Sequence, residues 1–168
     1  NIIDLKGKPL IEYTIQASLA SKVSETWVST DSVHIKEVSQ KCGAKVLDRP
    51  EELATDTASS EGALLHFSNT IDFDTLVFLQ PTSPLLLAKD INAGINLLLQ
   101  GQYDSVFSVY REHWIPRWSL NMKPNDWDIK NRPMRQDIEE TLVENGAFYI
   151  STREQLLSSK LRYGGKIG

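Results

Sequence analysis

Arg132 and Arg135 stand three residues apart in Arg132-Pro133-Met134-Arg135-Gln136-Asp137, a stretch with neither helical nor strand periodicity. Guanidinium forks bind carboxylates and phosphates through paired hydrogen bonds, so the two suit an anionic ligand; a solvated surface cluster is the plainer alternative. Arg49 opens a second polar loop, Arg49-Pro50 through Ser60, and suits phosphate or base contact at the mouth of a crevice. The groups behind it, Asp56, Thr57, Ser59 and Ser60, double as helix N-caps. Gln80-Pro81-Thr82-Ser83-Pro84 follows an apolar run directly. Its prolines hold an amide and two hydroxyls in place at little entropic cost on binding, and the amide can donate to and accept from a sugar or base edge. The same five residues also read as a rigid turn. Asn145-Gly146 reads as a turn just before a strand that carries Ala147, Phe148 and Tyr149.

Other chemistries find little support. His34, His66 and His113 share no metal-ligand spacing, and nothing resembles a Ser-His-Asp or Cys-His set. Cys42 is the only cysteine, which excludes an intrachain disulfide and a Cys-rich metal site. A formal charge of −4 without any basic block argues against nucleic acid as a partner. The longest apolar stretch, around Leu97-Leu98-Leu99, is too short to span a bilayer, so no membrane partner is expected. With 40% hydrophobic and 24% charged residues, the 168-residue chain has an ordinary globular composition and the size of one domain. It begins at Asn1 without a signal-peptide pattern.

Strand-like and helix-like segments alternate around these residues. Helices are expected from Pro9, from Asp31 or Ser32 to Gly43, over Ser59–Asn69, over Lys89–Gln100, and through Gln155-Leu156-Leu157. Strands are expected over Thr26–Thr30, Ala44–Leu47, Thr75–Leu79, Ser105–Val109 and Ala147–Ile150. Between Tyr110 and Glu144 no period holds, and three prolines and three of the four tryptophans fall there. Trp114, Trp118 and Trp127 could stack on a base, but an interface or a local core suits them better. The alternation predicts an α/β fold with a mostly parallel sheet and helices on both faces. Ligands of such folds bind beyond the carboxyl ends of the strands, where Ser29-Thr30-Asp31, Gln80–Pro84 and the Arg49 loop would lie.

Taken in chain order, these pieces resemble the cytidylyltransferase family that makes CMP-activated nonulosonic acids, chiefly CMP-sialic acid synthetases. The matching residues are Asn1-Ile2 with Lys8-Pro9-Leu10-Ile11, Val28-Ser29-Thr30-Asp31, Arg49-Pro50 with Glu52-Leu53-Ala54 and Asp56, and Gln80–Pro84. Asp104-Ser105-Val106 with Ser108-Val109, Arg135-Gln136 and Asn145-Gly146-Ala147-Phe148-Tyr149 complete the set. Residues Tyr103–Ser119 and Gly164-Gly165-Lys166 lean toward the animal branch.

The resemblance implies a Rossmann-like nucleotidyltransferase fold and transfer of CMP from CTP to the anomeric hydroxyl of a sialic acid or related acid, with release of pyrophosphate. It implies Asn1, Arg49 and Ser60 at the nucleotide, Gln80, Asn145 and Tyr149 around the sugar acid, and Arg135 at its carboxylate. Residues 110–144 would be the dimerisation arm of a homodimer, with Arg117 or Arg135 reaching a neighbouring site. The family's Gly-rich triphosphate loop and its two Mg²⁺-holding aspartates have no counterpart here, and Leu86 stands where many members carry Arg. The expectation is therefore a single domain, 1–168, without its first strand and phosphate loop and without its metal-binding strand, the Mg²⁺ ligands lying outside. No catalytic residue is identified within the chain. An intracellular location is implied, cytoplasmic for a bacterial protein and nuclear or Golgi for an animal one. Two alternatives stand: an octulosonic-acid nucleotidyltransferase, and an inactive binding or dimerisation domain of the same fold.

Overall fold

A computed structural model describes all 168 residues. The chain runs β1 (Asp4–Leu5), β2 (Lys8–Pro9), α1 (Leu10–Leu19), β3 (Trp27–Thr30), α2 (Val33–Lys41), β4 (Lys45–Asp48) and α3 (Ser60–Thr70). It continues through β5 (Thr75–Leu79), α4 (Ala88–Leu99), β6 (Ser105–Glu112), β7 (Arg117–Trp118), β8 (Pro124–Asn125), β9 (Thr141–Thr152) and α5 (Arg153–Ser159). Single turns of 3-10 helix lie at Glu51–Leu53 and Arg135–Asp137. Two compact units result: Asn1–Ser108 with Gly146–Gly168, and Val109–Asn145.

Helix starts follow the capping chemistry of the sequence. Of the two candidates before α2, Ser32 is the cap, its hydroxyl accepting from the Ile35 amide, and Gly43 with φ +95° lies just past the helix end. Ser59 caps α3 by accepting from Gly62, and Thr152 caps α5 by accepting from Gln155.

Within the first unit β3 and β4 pair in parallel, from Trp27 opposite Lys45 to Thr30 opposite Asp48. A second sheet has the order β5-β9-β6. There β5 and β9 are antiparallel, Thr75 opposite Thr152 and Leu79 opposite Phe148. The α/β alternation is present, but the sheets are small and mixed rather than one mostly parallel sheet. The antiparallel member is β9, which begins within the unit Val109–Asn145 and runs against β5. β9 is also far longer than the expected Ala147–Ile150, and Asn145-Gly146 lies inside it rather than in a turn before it. Gly146 accommodates this with φ +70°, a left-handed residue within a strand that only glycine adopts without strain.

The principal core lies between β9 and α4. Ile91, Gly94 and Leu98 recur on one face of α4 and are buried against Val106, Phe148 and Ile150, with Ala17 of α1 joining them. Ile91, Ile150 and Leu156 are fully buried, each contributing roughly 1.5–3 kcal/mol by loss of apolar surface to water. A smaller cluster, Ile11, Ile15 and Ala44, joins α1 to the β3–β4 pair.

The second unit has order without periodicity, because aromatic contacts build it. Trp127 meets Trp114 and Trp118 edge-on at 6.2 and 5.0 Å, and Arg132 lies over its ring at 5.6 Å. The Trp127 indole donates to the Arg117 carbonyl across the β7–β8 pair. The three tryptophans thus form an aromatic cluster, with Trp118 on its exposed side.

A Cβ added at Gly94 would lie 2.8 Å from both the Phe148 ring and Ile150. Gly94→Ala gains about 1 kcal/mol of helix propensity and loses about 1–3 kcal/mol to overpacking. A net loss of about 1 kcal/mol is expected, read as a lower denaturant midpoint, and an unchanged or higher midpoint would show that a methyl group fits.

Candidate functional site

The parallel β3–β4 pair brings the ends of both strands together, and Arg49 follows directly from β4. Its Nε donates to Ser29 Oγ at 3.1 Å, its NH2 donates to the Ser29 carbonyl, and its backbone amide donates to Thr30. Arg49 is therefore half-buried and oriented before any ligand arrives. Asn1 is exposed, and its carbonyl accepts from the Ile11 amide at the start of α1. Ser60 is the first residue of α3, half-buried behind the Ser59 cap.

Gln80 leaves β5 with its amide bonded to the Ala147 carbonyl at 3.2 Å. Its carboxamide lies over Gly146, where a Cβ would come within 3.4 Å of Oε1. Ser83 donates to the Gln80 carbonyl and Leu86 to the Ser83 carbonyl, so the Pro81–Pro84 stretch is the rigid turn that one sequence reading anticipated. Leu86 itself is buried in the principal core, so that position serves packing and not anion binding.

Tyr149 is only 6% exposed. Its ring stacks with Phe78 at 6.1 Å and Tyr163 at 5.8 Å, and meets Phe107 at 6.0 Å. Arg162 lies over it at 5.2 Å. Arg162 Nε donates to Glu61 Oε1 at 2.6 Å, and both side chains are 21% exposed. The hydrogen bond from Arg162 holds the Glu61 carboxyl below its ordinary value, and the same bond pushes the Arg162 guanidinium up. Sequence reasoning missed this pair. Its members are 101 residues apart, and neither lies in a motif.

In the second unit a groove of about 600 Å³ is lined by Trp114, Ile115, Met134, Arg132, Arg135 and Gln136. Arg135 is exposed at the start of its 3-10 turn. Asn145 is exposed on β9. Arg117 faces a different partner, donating to Glu112 at 2.6 Å. Arg111 and His113 both lie against Glu140, at 3.5 and 3.2 Å. Arg132 and Arg135 are thus the arginines of this unit without a carboxylate partner. Burial pushes the Cys42 thiol up, which disfavours it as a nucleophile. No group of three or more His, Cys, Asp or Glu side chains converges to hold a metal ion, and no helix is long and apolar enough to cross a membrane.

A family model described as Cytidylyltransferase matches residues 1–159. The chain belongs to the cytidylyltransferase family. It is 38% identical over 175 residues to N-acylneuraminate cytidylyltransferase A of Danio rerio, covering 99% of this chain and 40% of that protein. It is 33% identical over 174 residues to N-acylneuraminate cytidylyltransferase of Escherichia coli O18:K1:H7, covering 98% of this chain and 41% of that one. The chain thus spans about 40% of the length of these curated relatives. Among solved structures, a CMP:2-keto-3-deoxy-manno-octonic acid synthetase complexed with CTP superposes with a TM-score of 0.70 at 18% identity, covering 94% of this chain and 70% of that one. The 4-diphosphocytidyl-2C-methyl-D-erythritol synthase of Anaerococcus prevotii gives 0.66 at 13% identity, covering 94% and 68%. At such identities these structures establish the fold.

The Glu61–Arg162 pair makes stability pH-dependent on the acid side. A depressed carboxyl contributes stability above its ordinary value of 4.5 and loses it as pH falls through the lower folded value. Glu61→Gln is expected to be about 1–2 kcal/mol less stable than wild type at pH 7, the difference shrinking below about pH 4. Denaturant unfolding across that range checks it, and a difference independent of pH would refute the ionic origin.

Proposed function

We propose that the protein transfers CMP from CTP to the anomeric hydroxyl of a sialic acid or related nonulosonic acid, releasing pyrophosphate. One observation carries this reading: similarity to a protein named N-acylneuraminate cytidylyltransferase A extends along 99% of the chain at 38% identity. The sugar hydroxyl attacks the α-phosphorus, the bond to the bridging oxygen of pyrophosphate breaks, and the hydroxyl proton is released. Chemistry of this kind asks the protein mainly to position and to neutralise charge.

Asn1, Arg49 and Ser60 are assigned to the nucleotide. The fixed orientation of Arg49 on Ser29 supports that role, since a preset fork loses little freedom on binding. Gln80, Asn145 and Tyr149 are assigned to the sugar acid, although the Tyr149 ring is buried. Arg135, unpaired on the groove of its own unit, is assigned to the sugar carboxylate. Arg117 would first have to leave Glu112 to act on a neighbour, which favours Arg135. We further propose that residues 110–144 form the arm of a homodimer, and that the protein is intracellular, where CTP is made. No three His, Cys, Asp or Glu side chains of residues 1–168 lie together as a ready-made ligand set. Any Mg²⁺ the reaction uses is assigned ligands outside residues 1–168, and no step here is routed through it.

Loss of one partner from a desolvated charge pair costs about 2–5 kcal/mol, or roughly 30- to several-thousand-fold in binding. Arg135→Ala in the full-length protein is therefore expected to raise KM for the sugar acid at least about 30-fold while leaving KM for CTP nearly unchanged. Arg135→Lys should recover part of the loss, because Lys restores charge but not the planar fork. Steady-state kinetics in both substrates checks this. Wild-type constants in Arg135→Ala would make Arg135 a solvated surface charge.

A further inference from the structure

The segment after α5 is held to the sheet by its backbone. Buried Ser105 on β6 both donates its hydroxyl hydrogen to the Gly164 carbonyl at 2.8 Å and accepts from the Gly164 amide at 3.0 Å. The Asp104 carboxylate accepts from the Lys166 amide at 2.7 Å, and the Asp104 amide donates to the Lys166 carbonyl at 2.8 Å. Ile167 then pairs in parallel with Ser105. Gly165 has φ +66°, and any Cβ there would overlap the Asp104 side chain, so the close approach requires glycine. The backbone just beyond Arg162 is thus fixed to β6.

From that fixed base Arg162 reaches across the aromatic face of the sheet. Its guanidinium lies 5.2 Å from the Tyr149 ring and 5.8 Å from Phe78, and bonds Glu61 in the first turn of α3. Helix α3 is consequently pinned at two points by the α5 side of the unit. Arg153 donates to the Ser68 carbonyl near its far end, and Arg162 holds Glu61 at its near end. For residues 59–62, Arg162 is the one long-range side-chain hydrogen-bond partner, the other bond being the local Ser59 cap. Without it, the near end of α3 would be held by the packing of Ala63 and Leu64 and by the local Ser59 cap.

We propose that Arg162 is a positioning residue: through Glu61 it sets the first turn of α3, and with it Ser60, against the strand that carries Tyr149. This rests on the assignment of Ser60 to the nucleotide. Charge and stacking act together, so a neutral residue of similar length keeps contact with the rings but releases the turn. Misplacement of a binding group by about 1 Å is enough to cost an order of magnitude or more.

In the full-length protein, Arg162→Met is expected to raise KM for CTP about 10-fold, with kcat within about 2-fold and KM for the sugar acid unchanged. Arg162→Lys should sit between, at about 3-fold, and decides the matter should the Met variant not fold. The exchanged pair Glu61→Arg with Arg162→Glu should return KM for CTP toward wild type, a rescue that loss of packing alone would not give. A variant that melts earlier but keeps the wild-type KM for CTP, assayed well below its melting temperature, overturns the proposal. Wild-type protein that makes no CMP conjugate overturns the functional reading and this inference with it. An active wild type beside Arg162 variants with unaltered KM for CTP overturns this inference alone.

Discussion

Where α4 has no side chain, at Gly94, the Phe148 ring and Ile150 of β9 occupy the space. That contact seats β9, the central strand of its sheet, with Phe148 and Ile150 toward α4 in its register against β5. Side chains alternate along a strand, so burying Phe148 and Ile150 on the α4 face sends Tyr149 to the opposite one. Tyr149 then meets its register partner Phe78, and Phe107 beside it, to make the aromatic face that Arg162 and Tyr163 cover. The same register sets Gln80 beside Ala147 and its carboxamide over Gly146. A slip of one residue would reverse all of these placements at once.

The arginines divide by what already holds them. Arg49 is braced by neutral groups of Ser29, which orient its fork without cancelling its charge. Arg162 and Arg117 are neutralised by Glu61 and Glu112, so their charge serves the fold of their own units. Arg132 and Arg135 have no carboxylate and line a groove with an aromatic and apolar wall. A guanidinium with no internal anion retains its full affinity for an external one, which separates candidate ligand-binding arginines from structural ones.

The helix caps, the strand Thr75–Leu79 and the α/β alternation were legible because each depends on neighbours in sequence. Trp114, Trp118 and Trp127 were legible only as a group suited to an interface or a local core, and their mutual edge-on contacts come from the structure. The length and direction of β9 were not legible. Residues 141–145 are mostly exposed and show no apolar alternation, and Asn145-Gly146 has the composition of a turn while lying inside a strand. Nor could spacing reveal that Tyr149 is roofed by Arg162 and Tyr163, since the partners come from separate elements that only the sheet brings together. The order of motifs identified the family, but which arginine is free and which is paired depends on tertiary contacts.

Phosphorus NMR of the full-length protein with CTP, Mg²⁺ and either a sialic acid or an octulosonic acid tests the proposed CMP transfer to a nine-carbon sugar acid most directly. With the sialic acid, CTP is expected to be consumed and to yield a CMP phosphodiester and pyrophosphate in equal amounts, while the octulosonic acid leaves CTP intact. Consumption of CTP with the octulosonic acid alone, or no CMP conjugate with either, would contradict it.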